Sequence, residues 1–294
     1  MAIDSIPDVA HVERIGDGAP RLLIEVPHGA DRRAHYDTWR GKLVGGLPRD
    51  LHCFFHVNTD VGAWQYGRRV AERLAATGVS ALLIRCLVPR TFIDTNRVPD
   101  APDALASGGM TPAIAPYVDD DRDRAMLMAA HRTYVDLVAD AYRLVCDAGG
   151  FALSPHTYGP RTLAIAKVDR DIVEQLRAAH EPAAIEAAPL RPEIDLITRK
   201  ADGARVAPTG IVDELIAGYA TLGHTATESA TYKMSEMTQS WRWQHAYPEQ
   251  VLCLEIRRDL LVERWTPFDE QTVRDDAADR FAQPLAEAIA RRLR

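Results

Sequence analysis

Several familiar signals are missing from this chain, and each absence narrows what it can be. No apolar run in its 294 residues approaches the length of a membrane-spanning helix. Residues 1–10 hold no basic stretch followed by an apolar one, so no signal peptide is expected and the default location is the cytoplasm. Cysteine is sparse: Cys53, Cys86, Cys146 and Cys253 are scattered, form no C-x-x-C pair, and read as buried free thiols. Positive charge is in deficit, with 35 Lys and Arg against 42 Asp and Glu and a formal charge of −7. That balance argues against a nucleic acid partner. No G-x-S-x-G nucleophile elbow and no G-x-x-x-x-G-K-[ST] phosphate loop occurs. There is also no internal repeat, low-complexity tract or convincing boundary, so a single domain over residues 1–294 is expected.

What is present is a core-forming composition, 47% hydrophobic and 26% charged, arranged in alternating elements. Residues 21–26 read as a buried strand, 31–50 as a loop or lid, and 51–57 as a second strand. Asn58-Thr59-Asp60 then looks like a helix start. Helical spacing of Ala63, Tyr66, Val70 and Leu74 predicts a helix over 61–77, ended by Gly78. A strand is expected at 79–87, a long loop near the site at 98–119, and a long helix at 121–148 closed by Gly149-Gly150. Residues 151–154 read as a strand. Helices are expected at 168–179 and 210–220, with 181–193 as connection, then a strand at 250–256 and a final helix at 269–293. Residues 224–249 are polar but carry Tyr232, Trp241, Trp243 and Tyr247. The alternation predicts an α/β fold with a mixed, mostly parallel sheet flanked by helices.

The chemistry concentrates at strand ends. Leu22-Leu23-Ile24-Glu25-Val26-Pro27 stops at His28, and Gly29 is expected to permit a tight turn after it. A second apolar run, from Phe151, delivers His156. The C-terminal edge of a parallel sheet is where such proteins gather ligands, so two histidines from two strand ends suggest one shared metal site. A hydrolytic zinc site takes three protein ligands and leaves one position for water. Asp60 or Asp31 would complete the set; Arg32 and Arg33 beside Asp31 suggest that it is exposed.

Two further segments stand out. Arg90-Thr91-Phe92-Ile93-Asp94-Thr95-Asn96-Arg97 follows a buried strand; its arginines suit carboxylate recognition, and Asp94 would hold one of them. Glu255 sits inside an apolar strand, where a carboxylate is costly unless paired or functional. It either takes and returns a proton during amide hydrolysis or pairs structurally with Arg257 or Arg258. His52 and His56, along the 51–57 strand, read as structural; His224 and His245 could line a pocket; Trp241 and Trp243 read as packing residues.

Taken in order, Pro27-His28-Gly29, Asp60, the segment from Arg90 to Arg97, His156 and the run from Glu255 to Arg258 resemble the N-formylglutamate amidohydrolase family. The resemblance spans residues 21–260. It implies a zinc-carboxypeptidase-like α/β hydrolase with one zinc, or another divalent metal, held by His28, Asp60 and His156. It favours Asp60 over Asp31. It implies Glu255 as general base and acid, Arg90 as an oxyanion-stabilising residue, and Asn96, Arg97 and Arg258 as contacts for a small carboxylate-bearing amide. Three places depart from the family: Ser154 where an Asp is common, Arg257 in place of an Asn, and Trp241-Arg242-Trp243 before Glu255. These point toward another N-acyl amino acid or small amide. The alternatives are a metallocarboxypeptidase-like enzyme or other deacylase, and a non-catalytic binding protein on the same fold.

Overall fold

A strand buried on both faces reads as an unbroken apolar run, and Leu22–Val26 (β2) is such a strand, buried throughout. The computed structural model describes residues 3–99, 111–165 and 167–294. In it β2 lies inside one seven-stranded sheet, between Ala81–Cys86 (β3) and Phe151–Tyr158 (β4). The sheet continues from β4 through Val251–Arg257 (β7) to Ile194–Leu196 (β5) and Ala226–Glu228 (β6). Ala10–Ile15 (β1) forms the opposite edge, antiparallel to β3. The β3-β2-β4-β7 centre is parallel, and β5 is antiparallel to β7. The expected mixed, mostly parallel α/β sheet is what the chain forms.

Helices cover both faces. Ala63–Ala75 (α3), Ile211–Thr221 (α7) and Asp275–Arg292 (α9) share one core with Leu22, Ile24, Val26, Leu153, Leu252, Leu254 and Ile256. Arg33–Arg40 (α1), Leu51–Asn58 (α2), Asp121–Cys146 (α4) and Ile172–Ala179 (α5) share the other with Leu23, Ala152 and Val251. Side chains alternate across a strand. Glu25, Ser154, His156 and Glu255 therefore share the second face, in a polar row flanked by apolar residues of the first. No helix among the described residues is long and apolar enough to cross a membrane.

Several local expectations change. Residues 51–57 are not a strand but most of α2, with Leu51, Cys53, Phe54, Phe55 and His56 all buried. A short apolar run buried on every side carries no periodicity that separates helix from strand. Asp60 therefore opens no helix; it lies between α2 and α3, whose cap is Gly62 at φ 94°. Residues 31–50 contain α1, with Tyr36 and Trp39 buried. Of the expected loop 98–119, residues 100–110 lie outside the described residues. The short elements β1, β5 and β6, Pro182–Ala187 (α6) and Gln239–Ala246 (α8) were not expected. His56, like His52, sits on a helix.

Two details place the site. The β2–β4 ladder ends at Ile24 opposite Leu153, whereas β4–β7 continues to Tyr158 opposite Arg257. Pro155, which has no N–H, thus falls where β2 has already stopped pairing. His156 lies within β4 rather than after it. Gly29 is needed for contact, not for a left-handed turn. It is not among the glycines with positive φ, but a Cβ there would lie 2.7 Å from the Arg85 Cβ and 3.1 Å from the Cys86 carbonyl oxygen.

Candidate metal centre

His28, Asp60 and His156 converge where β2 and β4 part, and all three are buried. Asp60 Oδ2 lies 3.1 Å from His28 Nδ1 and 2.9 Å from His156 Nδ1. The imidazole centroids are 5.1 Å apart. Burial pushes the Asp60 carboxyl up, but the imidazoles of His28 and His156 outweigh it and hold it well below the usual carboxylate range. One carboxylate oxygen and two Nδ1 atoms facing a common point form a donor set that fits a divalent metal. Asp31 is not part of this group. It is buried rather than exposed, with Arg85 3.8 Å away.

The other imidazole nitrogens are held from behind. His28 Nε2 lies 2.8 Å from Asp94 Oδ1. The same carboxylate accepts from Arg90 Nε at 3.0 Å and from the Asn96 backbone N–H at 2.9 Å. Burial would raise its pKa; Arg90, His28 and Arg97 instead keep it well below the ordinary range. Asp94 thus holds an arginine, as expected, and also fixes a ring that sequence reasoning did not connect to it. His156 Nε2 lies 3.3 Å from Ser154 Oγ, behind which stands the buried carboxylate of Glu25, 3.4 Å away. Tyr134 donates to Glu25 at 2.8 Å. Burial raises the Glu25 pKa. Glu25 went unnoticed although it carried the same signal as Glu255: a carboxylate inside an apolar strand.

Glu255 is His156's register neighbour across the β4–β7 ladder. Neither arginine beside it is an ion-pair partner. Arg257 pairs with Asp259 at 2.8 Å. Arg258 Nη1 donates to the Val57 carbonyl at 2.8 Å, and Nη2 approaches that of Thr157 at 3.4 Å. Glu255 Oε2 is buried and has no hydrogen-bond partner among the described residues. Burial and the charge of Asp60 raise this carboxyl to about 7, against the pull of His156, Arg191 and Arg90. Burial lowers the Arg258 guanidinium to about 10.

A cavity of about 600 Å³ opens over this edge, lined by His28, His156 and Glu255 and by Arg90, Asn96, Arg97 and Arg258. Asn96 Oδ1 accepts from the Ser240 backbone N–H at 2.9 Å and its Oγ at 3.0 Å, fixing the start of α8. His224 and His245 lie elsewhere: His224 meets Glu193, and His245 stacks on Trp241. Trp243 packs on Tyr142 with centroids 4.4 Å apart. All four cysteines are free and buried.

Compared by sequence, the chain matches no family model and no curated protein. Compared by structure, it superposes on an N-formylglutamate amidohydrolase from Ralstonia eutropha with a TM-score of 0.54 at 18% identity, over 97% of this chain and 99% of that one. The two share a fold. A gene product of Agrobacterium tumefaciens is similar at a TM-score of 0.60 and 18% identity, over 97% of this chain and 94% of that one. A metallo-carboxypeptidase from Burkholderia cenocepacia gives 0.41 at 12% identity, over 96% and 60% respectively.

The backing of His28 is directly testable. A ligating imidazole whose second nitrogen meets a carboxylate is oriented and made more basic, and loss of that partner typically costs 10- to 100-fold in metal affinity. Asp94→Asn is expected to weaken zinc binding by about that factor, read by competition with a chromogenic chelator. Unchanged affinity would show that Asp94 serves Arg90 alone.

Proposed function

We propose that this protein is a metal-dependent amidohydrolase that cleaves the amide of an N-formyl or N-acyl amino acid, with residues 1–294 as one catalytic unit. The observation that carries this reading is the buried His28-Asp60-His156 group beside a carboxylate, Glu255, that has no ion-pair partner among the described residues, all at one cavity. The fold shared with an N-formylglutamate amidohydrolase supports it.

A divalent metal at the three donors, zinc by preference, would supply a Lewis acid that acidifies water and polarises a carbonyl. Glu255 Oε2 is free to take a proton from the attacking water. With a pKa raised to about 7, the same carboxyl can hand that proton to the departing nitrogen. The water oxygen bonds to the acyl carbon, the C–N bond breaks, and the amine leaves neutral. Arg90, fixed by Asp94, offers a preorganised positive charge to the developing oxyanion. Asn96, Arg97 and Arg258 line the same space and would contact the amide beside the metal.

The test is amine release by the zinc-loaded protein from N-formyl- and N-acetyl-amino acids, with dipeptides alongside. Release from the N-acyl amino acids is expected. Cleavage confined to dipeptides would favour a carboxypeptidase-like activity, and no release from any amide would remove the hydrolase reading.

A further inference from the structure

Resting on that reading, we infer that the substrate is a two-ended amide, with a carboxylate bound at Arg191 and an apolar group of several carbons seated against α2, α5 and the segment after β4. The cavity is large for a formylated amino acid. Its volume, about 600 Å³, lies in the range that encloses drug-sized ligands.

One wall is apolar. Phe54 and Val57 of α2, Leu163, Ile165 and Val168 beyond β4, and Leu176 of α5 all line it. In the stretch 161–165, Leu163 and Ile165 are half-buried while Thr162 and Ala164 are exposed. That alternation turns the two large aliphatic side chains into the same space that holds His156 and Glu255. The wall is continuous with the proposed reaction site, so its natural occupant is part of the molecule being cleaved. A formyl group would leave this surface to water, whereas a longer chain would cover it.

The other end is cationic. Arg191 lines the cavity with its guanidinium over two neighbouring tyrosine rings, 5.1 Å from the Tyr158 centroid and 5.6 Å from that of Tyr232. Its hydrogen bonds to Thr162 and Gly159 are long, at 3.3 and 3.4 Å. It forms no ion pair among the described residues, unlike Arg90, which Asp94 already occupies. A planar guanidinium that lies over aromatic rings and is in no ion pair suits bidentate capture of a carboxylate. Nothing in the sequence singled Arg191 out, because its two rings arrive from β4 and from the segment after β6.

The experiment uses the zinc-loaded protein and two substrate series. One lengthens the acyl group on glutamate from formyl through acetyl, butanoyl and hexanoyl to octanoyl. The other keeps formyl and changes the amino acid from glutamate to leucine and phenylalanine. One series is expected to rise in kcat/KM with size, by about fourfold per buried methylene; which series rises tells whether the acyl or the amine side meets the wall. Leu163→Asp and, independently, Ile165→Asp are expected to flatten the rise. Arg191→Gln is expected to raise KM at least tenfold, and an unchanged KM would overturn the anchor. Calorimetric binding of octanoate against acetate reads the wall without turnover, and tighter octanoate binding is expected. Rates that fall from the smallest member of both series, with octanoate binding no tighter than acetate, would overturn the apolar wall. Formylglutamate cleavage in that case would leave the amidohydrolase reading standing. Octanoate binding without any cleavage would do the reverse.

Discussion

Glu255→Gln is expected to lower turnover about 1,000-fold, to leave zinc content unchanged, and to make the metal-free protein more stable above pH 7. The first two effects follow from position. Glu255 neighbours His156 across the ladder but is outside the donor group of His28, Asp60 and His156, so a neutral amide removes the proton carrier and spares the ligands. The third follows from linkage. The folded protein holds the Glu255 proton at about 7, against an ordinary 4.5. Between those values the folded state keeps a proton that the unfolded chain has released, so stability falls as pH rises from 4.5 to 7 and stays low above it. The span corresponds to roughly 3 to 4 kcal/mol. Glutamine never ionises and avoids that loss. Urea unfolding in the presence of a chelator should therefore show the variant ahead at pH 8, with the gap closing toward pH 5. A constant gap across that range would mean that Glu255 is not a strained buried acid. Turnover that survived in the variant would end its role as base.

The sheet and the convergence of His28 with His156 were legible for one reason. Each histidine ends or interrupts an apolar run, and parallel strands deliver such residues to one edge. Glu255 was legible because Leu254 and Ile256 on either side mark the opposite face. Asp60 was a candidate from its place after the 51–57 run and was preferred to Asp31 through resemblance, with its local structure misread. The 51–57 run is buried around most of its surface, and only packing against α1 and α5 reveals it as a helix. What stayed hidden is tertiary. Asp94 meets His28 across 66 positions, and Glu25 backs Ser154 across 129. The three-residue strands β5 and β6 are too short to show a period, yet β5 pairs Asp195 against Glu255 and so fixes the far side of the site.

Zinc added to the metal-free protein is expected to raise its melting temperature by about 4 °C at a concentration 100 times the dissociation constant, and only with all three donors intact. A cation that binds the folded state alone adds about 2.7 kcal/mol under that condition. The unfolded chain offers no equivalent, since the donors stand at positions 28, 60 and 156 and meet only where β2 and β4 part. Asp60→Asn is the sharpest variant. It keeps the volume between the imidazoles and removes the one negative charge in the donor group, so the zinc-induced shift should disappear while the fold persists. His28→Gln and His156→Gln should lose it as well. The shift should also shrink as pH falls, because protons compete with the metal for the His156 imidazole, whose pKa Cys253 and Asp60 hold well above its usual value against the effect of burial. Among the described residues, the group able to hold a metal is His28, Asp60 and His156, and no cysteine belongs to it. Scanning calorimetry of the four proteins with and without zinc decides the matter. A shift that persists in Asp60→Asn, or one that is absent from the unaltered protein, would mean that these three residues do not form a metal centre.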